Sequence, residues 1–99
     1  SRELAIASEV AGGHHERWDG SGYPRGLNGE EIPLSARIMA IADVYDALTT
    51  ERVYKNAWTH AQAITEIKQL EGKQFDPIVD QAFMGIEDEI IAISEKFSD

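Results

Sequence analysis

The chain has 99 residues, with 18 acidic against 9 basic side chains, a formal net charge of −9, 42% hydrophobic residues and no cysteine. That length holds one domain, that apolar fraction can fill a core, and the lack of cysteine excludes a disulfide scaffold or a thiolate metal site. The apolar runs are too short to span a membrane, nothing at the start reads as a signal peptide, and the acidic balance argues against DNA binding.

In chain order, residues 3–12 read as a helix with a stripe of Leu4, Ala7, Val10 and Ala11, ended by Gly12-Gly13. Residues 14–33 read as a long loop carrying Gly20, Gly22, Pro24, Gly26 and Gly29. Loops of that length inside a small domain are usually functional or disordered, and Trp18 and Tyr23 argue for order. Pro33 stands at the start of a second helix, Leu34 to Leu48, apolar nearly all round and therefore read as buried. Residues 51–58 connect it to a third helix. Thr59 and Gln62 form the capping box of that helix, and Gly72 closes it. Asp76-Pro77 is a further start signal, and the final helix runs into the nineties with a break near Gly85. No strand is apparent, so the fold class is all-α.

Three groups of residues carry potential chemistry. His14-His15-Glu16 lies at a helix end, where adjacent histidines can turn toward one cation or two. In most proteins such a pair on a surface loop binds nothing. Asp43 and Asp46 are three apart on the apolar helix and share a face. A buried carboxylate must be paired, hydrogen-bonded or metal-bound. The competing explanation is pairing with Arg37 or Arg52. Arg52 and Lys55, three apart, could grip a phosphate or decorate a solvated turn. His15-Glu16-Arg17-Trp18-Asp19 is no zinc-protease helix, since Gly20-Ser21-Gly22-Tyr23-Pro24 breaks the chain at once. His60 follows a cap and is read as an inert surface residue.

Taken together the motifs are far more specific. His14-His15-Glu16-Arg17-Trp18-Asp19-Gly20-Ser21-Gly22-Tyr23-Pro24 is followed by Gly29-Glu30-Glu31-Ile32-Pro33-Leu34. Then come Ala42-Asp43-Val44-Tyr45-Asp46-Ala47-Leu48-Thr49, Arg52-Val53-Tyr54-Lys55 and Phe75-Asp76-Pro77. This series resembles the HD-GYP family, a branch of the HD metal-dependent phosphohydrolases, over about residues 1–85. The resemblance implies a bacterial, cytoplasmic phosphodiesterase that hydrolyses cyclic di-GMP with two or three divalent metal ions, iron or manganese. It implies that His14, His15 and Asp43 are metal ligands and that Tyr23, Arg52 and Lys55 contact the substrate. Glu16, Asp19, Gly20, Gly22 and Pro24 would order the loop, and Asp46 would be structural.

The family's His-Asp pair is missing from these 99 residues. The chain therefore reads as the C-terminal part of such a domain, all of 1–99, a portion of a helical bundle without its upstream half and inactive alone. The second helix would then need cover from elsewhere, which includes a homo-oligomer. Two alternatives stand beside the enzyme: a degenerate, non-catalytic module that docks signalling domains through Gly22-Tyr23-Pro24, and a general HD-type nucleotide phosphohydrolase.

Overall fold

The structure, a computed structural model, describes residues 1–97. Among the described residues five helices follow one another: α1 (Arg2–Gly13), α2 (Leu34–Thr49), α3 (His60–Gln69), α4 (Pro77–Gly85) and α5 (Glu87–Phe97). A single 3-10 turn, Gly29–Glu31, precedes α2. Among the described residues only two isolated bridges represent extended pairing, Arg52 with Lys55 and Glu71 with Phe75. The all-α expectation holds.

Caps explain the helix boundaries. The Ser1 hydroxyl accepts from the Leu4 amide at 3.2 Å and starts α1. Thr59 and Gln62 exchange both capping-box bonds at α3. The Asp76 carboxylate accepts from the Ile78 amide at 2.9 Å, with Pro77 in the first turn of α4. The chain breaks between α4 and α5 at Gly85-Ile86, where the sequence places it. Two boundaries move. α1 continues through Gly12 and Gly13 and is capped at His14, and α3 stops at Gln69, short of Gly72. Gly13 is buried where α1 crosses α2, and a Cβ there would lie 2.9 Å from the Ala36 Cβ.

α2 is the central element and packs against α1, α3 and α4. Its Ala40 and Ile41 join Ile67 of α3 and Phe75 in the buried core, flanked by Val44, Tyr45, Leu70, Val79, Phe83 and Met84. Deep burial of such side chains is the main stabilising term. The expectation that α2 is buried all round is not met. Only Ala36, Ala40 and Ile41 are buried on it, whereas Leu34, Ile38 and Met39 are exposed. The sequence is apolar on two faces, and this chain covers one.

Asp80 stands out in this core. It is wholly buried on α4, and among the described residues neither carboxylate oxygen has a hydrogen-bond partner. Burial, reinforced by the nearby Glu71, pushes its carboxyl up to about 6 from the model-compound value of 3.8. The folded chain therefore keeps a proton that the unfolded chain loses first. The resulting stabilisation is complete below pH 3.8 and disappears as pH rises through 6. By linkage it amounts to about 3 kcal/mol. Thermal unfolding midpoints should fall between pH 4 and pH 8 in the parent chain, and Asp80→Asn should flatten that fall. Parallel pH profiles for the two chains would contradict the assignment.

Candidate functional site

The long loop is a folded object. Glu16 is buried, and its two carboxylate oxygens accept from the backbone amides of Arg25 and Leu27, each at 2.9 Å. Bonds to a charged acceptor are among the stronger ones, so one side chain fixes the far side of the loop. The near side docks on the turn before α4. The Trp18 and Asp19 amides donate to the carbonyls of Gln74 and Lys73, at 3.1 and 2.9 Å. The Asp19 carboxylate accepts from both the Ser21 amide and the Ser21 hydroxyl, at 3.0 and 2.6 Å. The hydroxyl bond first, then the amide, holds that carboxyl below its ordinary range. Gly20 has φ +85°, a left-handed value that favours glycine. Gly22 passes so close to the 15–17 backbone that a Cβ would lie 2.4 Å from the His15 carbonyl oxygen. The Tyr23 amide then donates to that same carbonyl at 3.2 Å, and a cis bond joins Tyr23 to Pro24.

This arrangement sets two histidines and a tyrosine side by side. The His15 ring stacks on the exposed Tyr23 ring at 4.9 Å and 15°, and lies 3.9 Å from the His14 ring. His14 Nδ1 is 2.8 Å from the Val10 carbonyl oxygen. A carbonyl only accepts, so Nδ1 carries the proton and Nε2 keeps its lone pair for a cation. His14 also lines a groove of about 580 Å³ together with Asp43, Glu3 and Met39.

The carboxylates of α2 differ from expectation. Asp43 and Asp46 are both exposed, so neither is a buried charge in need of a partner. Arg37 pairs with neither of them. Its Nη1 donates to Asp76 at 2.6 Å, and its Nε donates to the Ile32 carbonyl at 2.8 Å. Asp46 accepts from the Thr50 hydroxyl at 3.2 Å. Among the described residues, no three His, Asp or Glu side chains converge closely enough to hold a metal ion. His14, His15 and Asp43 thus offer donors without completing a shell, and the donors of this chain alone do not fit a resident metal.

Arg52 and Lys55 face each other across a tight turn, each backbone amide donating to the other's carbonyl, at 2.9 and 3.1 Å. The Lys55 ammonium lies 3.5 Å from the Ala47 carbonyl near the end of α2, and 5.6 Å from the centre of the Trp58 ring. A cation near helix C-terminal carbonyls and over an aromatic face is doubly favoured.

The reading of His60 as inert is overturned. His60 Nε2 is 2.8 Å from the Glu87 carboxylate, and Nδ1 is 2.8 Å from the Tyr45 hydroxyl. Glu87 only accepts, so Nε2 carries a proton, and in the neutral ring Nδ1 then accepts from the phenol. Burial pushes the Tyr45 phenol up. The three groups tie α2, α3 and the start of α5 together. A sign of this was available, because a tyrosine on an apolar helix needs a partner for its hydroxyl.

The HD domain family matches over residues 2–79. The chain belongs to the HD-domain family. A probable cyclic di-GMP phosphodiesterase of Vibrio cholerae is 56% identical over 96 residues, covering 97% of this chain and 22% of that protein. A 3'3'-cGAMP-specific phosphodiesterase of the same organism is 46% identical over 98 residues, covering 99% of this chain and 19% of that protein. The crystal structure of a cyclic GMP-AMP specific phosphodiesterase, also from V. cholerae, superposes with a TM-score of 0.70 at 27% identity, over 98% of this chain and 24% of the other. The chain thus spans about a fifth of the length of the curated relatives it matches. In HD-domain terms it carries the paired-histidine and Gly-Tyr-Pro segments that mark the HD-GYP branch.

Glu16→Ala would leave the Arg25 and Leu27 amides without acceptors. A charge-assisted bond contributes about 1.5–3 kcal/mol, so exchange at those two amides should accelerate at least roughly tenfold. Glu16→Gln should free one amide more than the other. Hydrogen exchange followed by NMR checks this, and unchanged protection at both amides would contradict it.

Proposed function

We propose that this chain is the C-terminal part of a metal-dependent phosphodiesterase domain that hydrolyses a cyclic dinucleotide, cyclic di-GMP in the first instance. HD-domain phosphohydrolases are generally metal-dependent, and relatives of this chain bear cyclic-dinucleotide phosphodiesterase names. The observation that carries the proposal is the shared groove of His14 and Asp43, with the His14 Nε2 lone pair uncommitted. His14, His15 and Asp43 would supply part of a metal shell, completed by donors outside this chain, with iron or manganese the suited ions.

The other roles follow from chemistry. The substrate is anionic and the chain carries a net charge of −9, so local cations must receive it. Arg52 and Lys55 would hold phosphate oxygens, Arg through its planar fork and Lys as a compact charge. Tyr23, steadied by stacking on His15, would fix the ligand beside the histidines. Glu16, Asp19, Gly20, Gly22 and Pro24 would act by holding the loop in its bound shape before substrate arrives, which lowers the ordering cost of binding. No helix among the described residues is long and apolar enough to cross a membrane.

A second reading, a non-catalytic docking module, draws on the lack of a three-donor cluster among the described residues. One experiment separates the two. In the intact protein that carries this chain, His14→Ala and Asp43→Ala should each lower cyclic di-GMP hydrolysis at least roughly hundredfold, as lost metal-site ligands do. Thermal midpoints should stay within a few degrees, since Asp43 is exposed. Full activity in both variants would leave the docking module standing. A panel adding 3'3'-cGAMP and simple nucleotides would test the substrate class, and turnover of simple nucleotides alone would point to a general nucleotide phosphohydrolase.

A further inference from the structure

The turn between Arg52 and Lys55 has an unusual tip. Reciprocal backbone bonds between those residues close it, leaving Val53 and Tyr54 at its two corners. Val53 is 91% exposed and Tyr54 is 99% exposed. Corners of tight turns are ordinarily filled by Gly, Asn, Asp, Pro or Ser, each for a backbone reason. A β-branched residue and an aromatic serve no such need here, and neither packs on anything within the described chain. Tyr54 is therefore not there to hold the turn, which its own backbone bonds already close.

The surroundings indicate what the ring faces chemically. The two residues that close the turn, Arg52 and Lys55, are cationic. The Lys55 ammonium reaches the Ala47 carbonyl, one helical turn (about 6 Å of rise) beyond Asp43 on α2. A bare aromatic ring on a turn closed by two anion-attracting residues, at the C-terminal end of the helix that carries Asp43, is a combination suited to nucleotides. The cations take the phosphate and the ring takes the base.

We propose that Tyr54 is a base-stacking residue of the substrate site, packing its ring on a purine of the bound cyclic dinucleotide while Arg52 and Lys55 hold the adjoining phosphate. This rests on the cyclic-dinucleotide reading and deepens it. Stacking is tolerant of base identity, because every base has a π-face. Tyr54 thus supplies affinity for a purine dinucleotide and does not discriminate guanine from adenine. Val53 keeps the opposite corner free of charge.

The test uses the intact protein that carries this chain, with Tyr54→Ala and Tyr54→Phe. Binding of cyclic di-GMP and of 3'3'-cGAMP should weaken by a similar factor in Tyr54→Ala, roughly five- to hundredfold for one stacked base. Tyr54→Phe should restore it, since the phenyl ring keeps the π-face. Competition by inorganic phosphate, which senses the cations and not the base, should be unchanged in both variants, as should the thermal midpoint. Undiminished binding in Tyr54→Ala overturns the inference alone and leaves the phosphodiesterase reading intact. A lowered thermal midpoint together with weaker phosphate competition also overturns it, by showing that Tyr54 packs on the rest of the protein. A parent protein that binds neither cyclic dinucleotide overturns the proposed function and this inference together.

Discussion

The guanidinium of Arg37 joins three parts of the molecule that are far apart in sequence. It leaves α2, takes the Ile32 carbonyl at the exit of the long loop, and meets the Asp76 carboxylate at 2.6 Å. Asp76 is itself buried and caps α4 through the Ile78 amide. Removing Arg37 would leave the buried Asp76 charge without its partner, which is costly even though the guanidinium itself is only partly buried. The long loop and the start of α4 are placed relative to this junction. The turn that Asp76 ends also supplies the Gln74 and Lys73 carbonyls on which Trp18 and Asp19 dock. Helix register, loop docking and core closure at Phe75 therefore form one connected constraint.

Within that frame the loop is shaped by a carboxylate and by missing side chains. Glu16 gathers two amides from residues nine and eleven positions away. Gly22 lets the strand of loop bearing Tyr23 lie directly against the 15–17 backbone, a contact that no other residue permits. The outcome is local order in a segment without regular secondary structure, which is what a binding loop requires if substrate is not to bear the whole ordering cost. The histidines owe their orientation to the same segment. His14 is fixed by Val10 one helical turn back, and His15 by the stacked Tyr23.

The helices were legible because their ends are written in local chemistry. Thr59-Gln62 and Asp76-Pro77 each form the cap that their side chains suggest. The loop was legible as a loop, and its motif series pointed to the family. What local pattern could not supply was the side from which cover comes. α2 reads as buried all round, yet Leu34, Ile38 and Met39 face outward, because hydrophobicity reports a residue's preference and not the presence of a neighbour. The same gap misplaces Asp43 and Asp46, which look buried from their apolar context and are exposed. Asp80 is the reverse case, one acid among many in the sequence and a partnerless carboxyl in the core. His60 escaped notice because its partners, Tyr45 and Glu87, lie 15 and 27 positions away in opposite directions. Convergence of that kind depends on packing, which spacing alone does not encode.

The central claim is that this chain holds an ordered part of a phosphodiesterase site whose metal shell is completed from outside it. Metal stoichiometry tests that most directly. The isolated 99-residue chain would be loaded with Fe(II) in the absence of oxygen, desalted, and measured for metal per chain. The account predicts retention well below one ion per chain, alongside tight retention by the intact protein. About two ions held per isolated chain, with the chain monomeric by sedimentation, would contradict it, showing that this chain closes a complete centre on its own.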